Sequence, residues 1–461
     1  MDDKRQTTGI TRERDTIMRS FPDGFVWGTA TASFQIEGAI HDDGRGESIW
    51  DRFAATPGAI QTGETGEPAC ESYHRYPDDI ALMHAMHLNA YRFSTAWPRI
   101  VPDGSGAINT AGLDYYDRLA DALLEAHITP FITLYHWDLP QALQDRGGWA
   151  NRATIDAFVR YADVVVSRLG DRVKQWITHN EPWCVSILSH EIGEHAPGLH
   201  DRALALHVAH NVLLSHGAAA PLIRQRCPNA QVGIVLNFTP GYPATDSAAD
   251  DTATRLHNAR SNRWFLDPIM GRGYPQEAWD YYGNAVPRIA PGDLEAIAAP
   301  LDVLGVNYYT RAVCHDPAGG EGGRVLNQRD AAKVTARDWE IFPQGLSDLL
   351  TWLRRDYGLP RLYITENGAA YDDVLAPDER VHDPARIDYL RQHLAALLGA
   401  IEGGIPVEGY FCWSLMDNLE WAFGTSSRFG LAYTDYPTQR RILKDSGAWY
   451  GRVARANALT D

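Results

Sequence analysis

The sequence predicts a single (β/α)8 TIM barrel with elaborated βα loops. Three observations predict it: eight short apolar runs rich in β-branched and aromatic residues, longer helical patterns between them, and no linker that would divide the chain. The runs are FVWGTATA (25–32), AYRFSTAW (90–97), TPFITLYHW (129–137), KQWITHNEP (174–182), QVGIVLNF (231–238), LDVLGVNYY (301–309), LYITENG (362–368) and VEGYFCWSL (407–415). They are nearly continuous in hydrophobicity, as strands buried on both faces are. Helical patterns lie between them, at 114–126, 155–169 and 387–401 for example. In the last, Ile387, Leu390, Leu394, Leu397, Leu398 and Ile401 recur at three- and four-residue spacing and form one apolar stripe. Length alone would suggest about three domains, but barrels of this kind often exceed 250 residues as one unit. The expected limits are a flexible N-terminal extension over 1–19, the barrel over 20–456 and a C-terminal tail over 457–461. The Gly-rich stretch 316–324 follows the sixth run and reads as a long βα loop.

The balance of charges narrows the function. A net charge of −17 argues against nucleic acid, because phosphate binding needs Lys and Arg. It also disfavours an anionic membrane surface and fits a neutral small-molecule substrate. No run of 18 apolar residues suggests a membrane span, and the polar first 20 residues lack the apolar core of a signal peptide. The five cysteines are scattered, with no CxxC pair, so neither a disulfide scaffold nor a zinc knuckle is expected. These features together predict a cytoplasmic protein without metal or other cofactor. The oligomeric state, a homo-oligomer included, is left open. The 14 Trp are explained largely by core filling, though flat indole faces also stack on sugar rings.

In a barrel the active site lies at the C-terminal ends of the strands. The first run leads into Gln35 and Glu37, and the second carries Arg92 and Trp97. The third ends in His136 and Trp137, the fourth in Asn180 and Glu181. The sixth ends in Asn307 and Tyr309, the seventh in Glu366 and Asn367. The eighth ends in Trp413, followed by Asp417, Asn418, Glu420 and Trp421. Amides and carboxylates bind hydroxyls in pairs and indoles stack on C–H-rich sugar faces, so this face suits a carbohydrate. A glycosidase needs two carboxyls flanking the scissile bond, about 5–5.5 Å apart if configuration is retained. Glu181 and Glu366 are the candidates. One must be protonated and the other ionised, a split that mutual repulsion and a nearby cation produce. Arg92 is the candidate cation for Glu366, and Tyr309 can donate a hydrogen bond to it.

THNEPW (178–183) and YITENGA (363–369) resemble the two catalytic signatures of glycoside hydrolase family 1, and FVWGTATASFQIEGA (25–39) resembles its N-terminal signature. YRFSTAWPRI, LYHWDLP, HAPG (195–198), GVNYYT and WSLMDNLEWAFG (413–424) match in the expected order, from about Phe21 to Ala456. The resemblance implies a retaining β-glycosidase, a β-glucosidase in the first instance, acting on β-glucosides or short oligosaccharides. It implies Glu181 as acid/base and Glu366 as nucleophile. Gln35, His136, Asn180, Glu420 and Trp421 would bind the glycone, with Trp137 beside them. Trp413 would be the platform beneath the sugar, and Trp339 would stack on the leaving group. Asn307 and Tyr309 would support the site. The sequence departs from the family at Phe423, Gly424 and Thr425, where an acidic residue and Gly-Tyr are usual, and at SHEIGE (189–194) before HAPG.

Rival readings are weaker. HEIGEH (190–195) resembles a zinc-protease HExxH helix with one residue too many, and Gly193 disfavours a helix there. GGEGG (319–323) lacks the strand–turn–helix context of a dinucleotide loop. An inactive sugar-binding homologue would have lost a carboxylate. A 6-phospho-β-glycosidase would need cations where Glu420 and Trp421 stand. Galactosidase or fucosidase activity on the same site remains an alternative, because Glu420 and Gln35 can hydrogen-bond either C4 epimer.

Overall fold

Eight parallel strands close into a barrel in strict chain order, β1 to β8 with β8 returning to β1. They are β1 (Val26–Ala30), β2 (Ala90–Ser94), β3 (Thr129–Tyr135), β4 (Gln175–Asn180), β5 (Gln231–Phe238), β6 (Val303–Tyr308), β7 (Leu362–Asn367) and β8 (Val407–Trp413). The computed structural model describes residues 19–316, 324–325, 333–358 and 361–460. The strands are buried almost throughout, which is why they read as unbroken apolar runs rather than alternating ones. Closure is set by the register Val26↔Gly409 through Ala30↔Trp413. Inside, the rings of Phe131 and Phe411 meet edge to face at 4.9 Å. Residue 28 of β1 must be glycine, because a Cβ there would run into the Phe411 ring.

Helices ring the barrel, among them Thr110–Glu125, Ala153–Leu169, Arg202–Arg226, Pro343–Tyr357, Pro384–Glu402 and Asp445–Ala456. The apolar stripe expected on Pro384–Glu402 faces inward: Leu390, Leu394, Leu397 and Leu398 are buried, with Ile387 and Ile401 at its partly buried margins. The last helix locks the closure, since the Tyr450 hydroxyl donates to the Gly28 carbonyl of β1 at 2.8 Å. Residues 457–460 continue the packing. Asn457 accepts from Trp27 Nε1 at 2.9 Å and donates to the Phe21 carbonyl, and Ala458 bridges to Ser20.

Two readings change. The second run stops as a strand at Ser94. Trp97 opens a short helix, Trp97–Ile100, and is fully buried against Tyr161 at 5.0 Å, so it belongs to the core and not to the barrel mouth. The region after β6 carries structure of its own: Ala312–His315 pairs in parallel with Gly241–Pro243 and antiparallel with Arg324–Val325. Most of the Gly-rich stretch 316–324, GGEGG included, lies outside the described residues, as do residues 1–18 of the expected extension and residue 461. Among the described residues no helix is long and apolar enough to cross a membrane.

Candidate active site

The strand ends surround a cavity of about 460 Å³, with His136, Trp137, Glu181, Asn307, Tyr309, Trp339, Glu366, Trp413, Glu420 and Trp421 in its wall. Gln35, Arg92 and Asn180 are fully buried one layer behind and touch the lining residues through hydrogen bonds. The strands that carry the two glutamates are locally irregular. The β4–β5 register shifts between Ile177 and Asn180, and the β6–β7 register shifts between Ile364 and Glu366. Such irregularities re-aim side chains at the end of a strand. Trp137, Glu181 and Trp421 also hold positive φ, of 77°, 47° and 48°. Non-glycine residues rarely adopt that region and pay about 1–3 kcal/mol for it, so the surrounding packing must hold them there.

Glu366 stands in a wholly charged and hydrogen-bonded setting. Arg92 Nη1 donates to its Oε1 at 2.5 Å, and the Tyr309 hydroxyl donates to its Oε2 at 2.7 Å. Arg92 is itself fixed, donating through Nη2 to Asn180 Oδ1 at 2.6 Å and through Nε to Thr133 Oγ1 at 3.2 Å. A buried guanidinium and a phenol thus occupy separate oxygens of the one carboxyl group.

Glu181 has no cation in contact. Asn307 Nδ2 donates to its Oε1 at 2.6 Å, and the Cys184 thiol donates to its Oε2 at 2.9 Å. Asn307 is oriented by Thr365, whose hydroxyl donates to Asn307 Oδ1 at 2.7 Å. Burial, followed by the charge of Glu366, pushes the Glu181 carboxyl up to about 7, against the two donors and Arg92, which pull it down. The two carboxyls therefore stand in opposed settings: one is in contact with a cation, and the other is able to carry a proton near neutrality.

The remaining polar groups are aimed for hydroxyls. Asn180 Nδ2 donates to His136 Nε2 at 3.0 Å, which leaves Nδ1 as the protonated nitrogen of a ring that burial keeps neutral. Nδ1 is buried without a partner among the described residues, as are Gln35 Oε1 behind the wall and His195 Nδ1 in it. Gln35 Nε2 donates to Asn418 Oδ1, the Leu419 carbonyl and, at 3.4 Å, Glu420 Oε2. Burial lifts the Glu420 carboxyl to about 8, with Arg337 opposing. The aromatic wall is continuous: Trp421 lies 4.5 Å from Trp137 and stacks at 21° on His136, which stacks at 26° on Trp413. Trp339 meets Tyr309 at 5.2 Å on another side.

Other strand-end residues do not join. Glu37 pairs with Arg99 at 3.0 Å and accepts from Tyr116, Asp417 is held by Lys444 and Arg428, and Asn367 ties Tyr308 to Tyr410. These are framework contacts. HEIGEH forms no metal site: a π-helical turn, Cys184–Ile192, ends at Gly193 in the left-handed conformation, and His195 turns away to pack on Trp50 and Trp137. Among the described residues no group of three His, Cys, Asp or Glu side chains could hold a metal ion. Sequence reasoning missed Cys184, Arg337, His195 and Phe429, all of which line the cavity. Cys184 and His195 lie beside or within the matched motifs THNEPW and HAPG, whereas Arg337 and Phe429 lie outside the matched motifs.

The profile of Glycosyl hydrolase family 1 matches residues 17–459. The chain is 46% identical over 445 residues to Beta-glucosidase A of Thermotoga maritima, covering 96% of this chain and 100% of that protein. It is likewise 46% identical over 446 residues to 1,4-beta-D-glucan glucohydrolase of Thermotoga neapolitana, covering 96% and 100%. The fold superposes on the Thermotoga maritima beta-glucosidase solved in complex with glucoimidazole with a TM-score of 0.93 at 45% identity, over 96% of this chain and 100% of that one. With a closed barrel, a paired-carboxyl cavity and a match along nearly its whole length, the chain belongs to glycosyl hydrolase family 1.

Proposed function

We propose that the protein is a retaining β-glucosidase in which Glu366 is the nucleophile and Glu181 the general acid/base. The observation that carries the assignment is the opposed setting of the two carboxyls. Glu366, against Arg92 and Tyr309, is ready to attack the anomeric carbon. Glu181, raised to about 7, can protonate the leaving oxygen. The protonated Glu181 gives its proton to that oxygen as Glu366 forms the glycosyl-enzyme, and the resulting carboxylate then takes a proton from the attacking water. His136 Nδ1 and Gln35 Oε1 receive sugar hydroxyls, Glu420 adds a further hydrogen-bonding carboxyl, Asn180 serves the 2-hydroxyl side, and Trp413, Trp421 and Trp137 supply the apolar walls. Trp339 stacks on the leaving group.

The likeness to proteins named beta-glucosidase and 1,4-beta-D-glucan glucohydrolase supports terminal β-glucosyl units as substrate, short oligosaccharides from cellulose among them. The five cysteines are all free and buried, which supports a reducing, cytoplasmic setting. The test is proton NMR of nitrophenyl β-glucoside hydrolysis. β-Glucose should appear first, and initial α-glucose would exclude double displacement. A second reading, galactosidase or fucosidase activity on the same site, rests on the Gln35–Glu420 pair, which can serve either C4 epimer. Initial rates on a panel of nitrophenyl glycosides rank the three.

A further inference from the structure

The glucosidase reading gives no role to Arg337. Arg337 lies two residues before Trp339 and lines the same cavity. Its guanidinium carbon lies over the Phe423 ring at 3.1 Å from the centroid and 5.9 Å from that of Trp339. Phe423 is the position at which this sequence departs from the family's usual acid. Among the described residues, no carboxylate stands within ion-pair distance of Arg337, and its side chain makes no hydrogen bond. Its neighbours in charge are Glu420, Glu194 and Asp338, which act on it only at longer range. Stacking on a ring occupies the face of a guanidinium and leaves the in-plane N–H donors at its edge free, the geometry that suits a bidentate carboxylate.

We propose that Arg337 selects aglycones that carry an anionic group, and that the substrate class includes aryl β-glucosides with a carboxylate on the aromatic leaving group. This rests on the glucosidase reading. Trp339 and Phe423 provide apolar faces for the aromatic ring, and Arg337 provides the counter-charge beside them. Glu420, the first of these neighbours, is pushed by burial toward its neutral form and so competes weakly for the guanidinium. Glu194 and Asp338 are exposed at the rim, where solvent screens them more than it screens the half-buried Arg337.

The test compares the β-glucoside of 3-(4-hydroxyphenyl)propionic acid with that of its amide. Two methylenes insulate the phenol from the carboxylate, so the leaving groups are equally good and only recognition differs. The readout is the ratio of kcat/KM, acid over amide, measured within each protein. The wild-type ratio should be about tenfold in low salt, since a partly desolvated charge pair contributes on this scale, and it should shrink as ionic strength rises. In Arg337→Met the ratio should fall to one or below, and Arg337→Lys should restore part of it. A wild-type ratio of one, or a ratio that survives Arg337→Met, overturns the assignment. Nitrophenyl β-glucoside 6-phosphate separates the other anionic source: if the wild type prefers it to nitrophenyl β-glucoside and Arg337→Met does not, Arg337 serves the sugar and the aglycone assignment fails. Nitrophenyl β-glucoside itself reports on the parent reading. If the wild type cleaves it without preferring the acid, only the Arg337 assignment falls, and if it is not cleaved at all the glucosidase reading falls with it.

Discussion

Glu181 and Glu366 face one cavity from the ends of β4 and β7, yet their surroundings are built from different chemistry. The β7 side is a charge network: a buried guanidinium with no exposed surface, anchored by Asn180 and Thr133, and a phenol. The β4 side is neutral: an amide and a thiol, with burial as the dominant force. Two identical side chains thus sit in opposed settings: Glu366 has a cation in contact, whereas burial first and the neighbouring charge second push the Glu181 carboxyl up. What differs is the company each keeps, which single substitutions can exchange or erase.

The largest effect is expected at Glu366. Glu366→Ala removes the attacking group, so turnover should fall on the order of 10⁴-fold or more for every substrate, whatever its leaving group. Added azide should restore it and yield the α-glycosyl azide, checked by NMR of the product. Next comes Glu181→Ala. Alkyl glucosides should lose roughly 10²–10⁴-fold, the scale of general acid catalysis. Dinitrophenyl glucoside needs no proton on departure and should still form the glycosyl-enzyme, which then accumulates. Azide should here give the β-product. An α-azide from Glu181→Ala and a β-azide from Glu366→Ala would mean that the two sides are exchanged.

Arg92→Met tests the charge network itself. It leaves Glu366 buried without a cation, a loss of roughly 3–5 kcal/mol for a broken buried pair. Activity should drop by about 10²-fold or more and the thermal midpoint should fall. Near-normal values of both would show that the β7 side does not depend on its cation. The pH profile sharpens the comparison from the β4 side. Glu181 must be protonated in the free enzyme, so kcat/KM should decline as pH rises through about 7. The smallest effect is expected for Cys184→Ala. The thiol's hydrogen bond favours the carboxylate form of Glu181, so its loss should move the basic limb upward by a fraction of a unit. A downward shift would show that the thiol holds the acid form instead.

Much of the site was legible because its chemistry is local in the chain. Asn180 and Glu181 are adjacent, as are His136 and Trp137, and each pair sits at the end of an apolar run whose direction in a barrel is known. The cavity collects Glu181, Glu366, His136, Trp137, Tyr309, Trp339, Trp413, Glu420 and Trp421 as that reading expects. Glu37, Asn367 and Asp417 occupy equally suggestive positions and were not separable from them by sequence. Their distinguishing partners, Arg99, Tyr410 and Lys444, lie 62, 43 and 27 residues away. Trp97 misled because the apolar run continues from the strand into the helix that follows, where Pro98 in the first turn is the mark of the change.

The sequence by itself determined the barrel, because eight doubly buried strands and the amphipathic helices between them leave a pattern that local hydrophobicity records. It also determined which strand ends carry carboxyls. Only the tertiary structure decided what surrounds those carboxyls. Arg92 reaches Glu366 across 274 residues, and Asn307 reaches Glu181 across 126. Arg337 meets Phe423 across 86 residues. A protonation state depends on burial and on charges a few ångströms away in space, and no local window of sequence contains either.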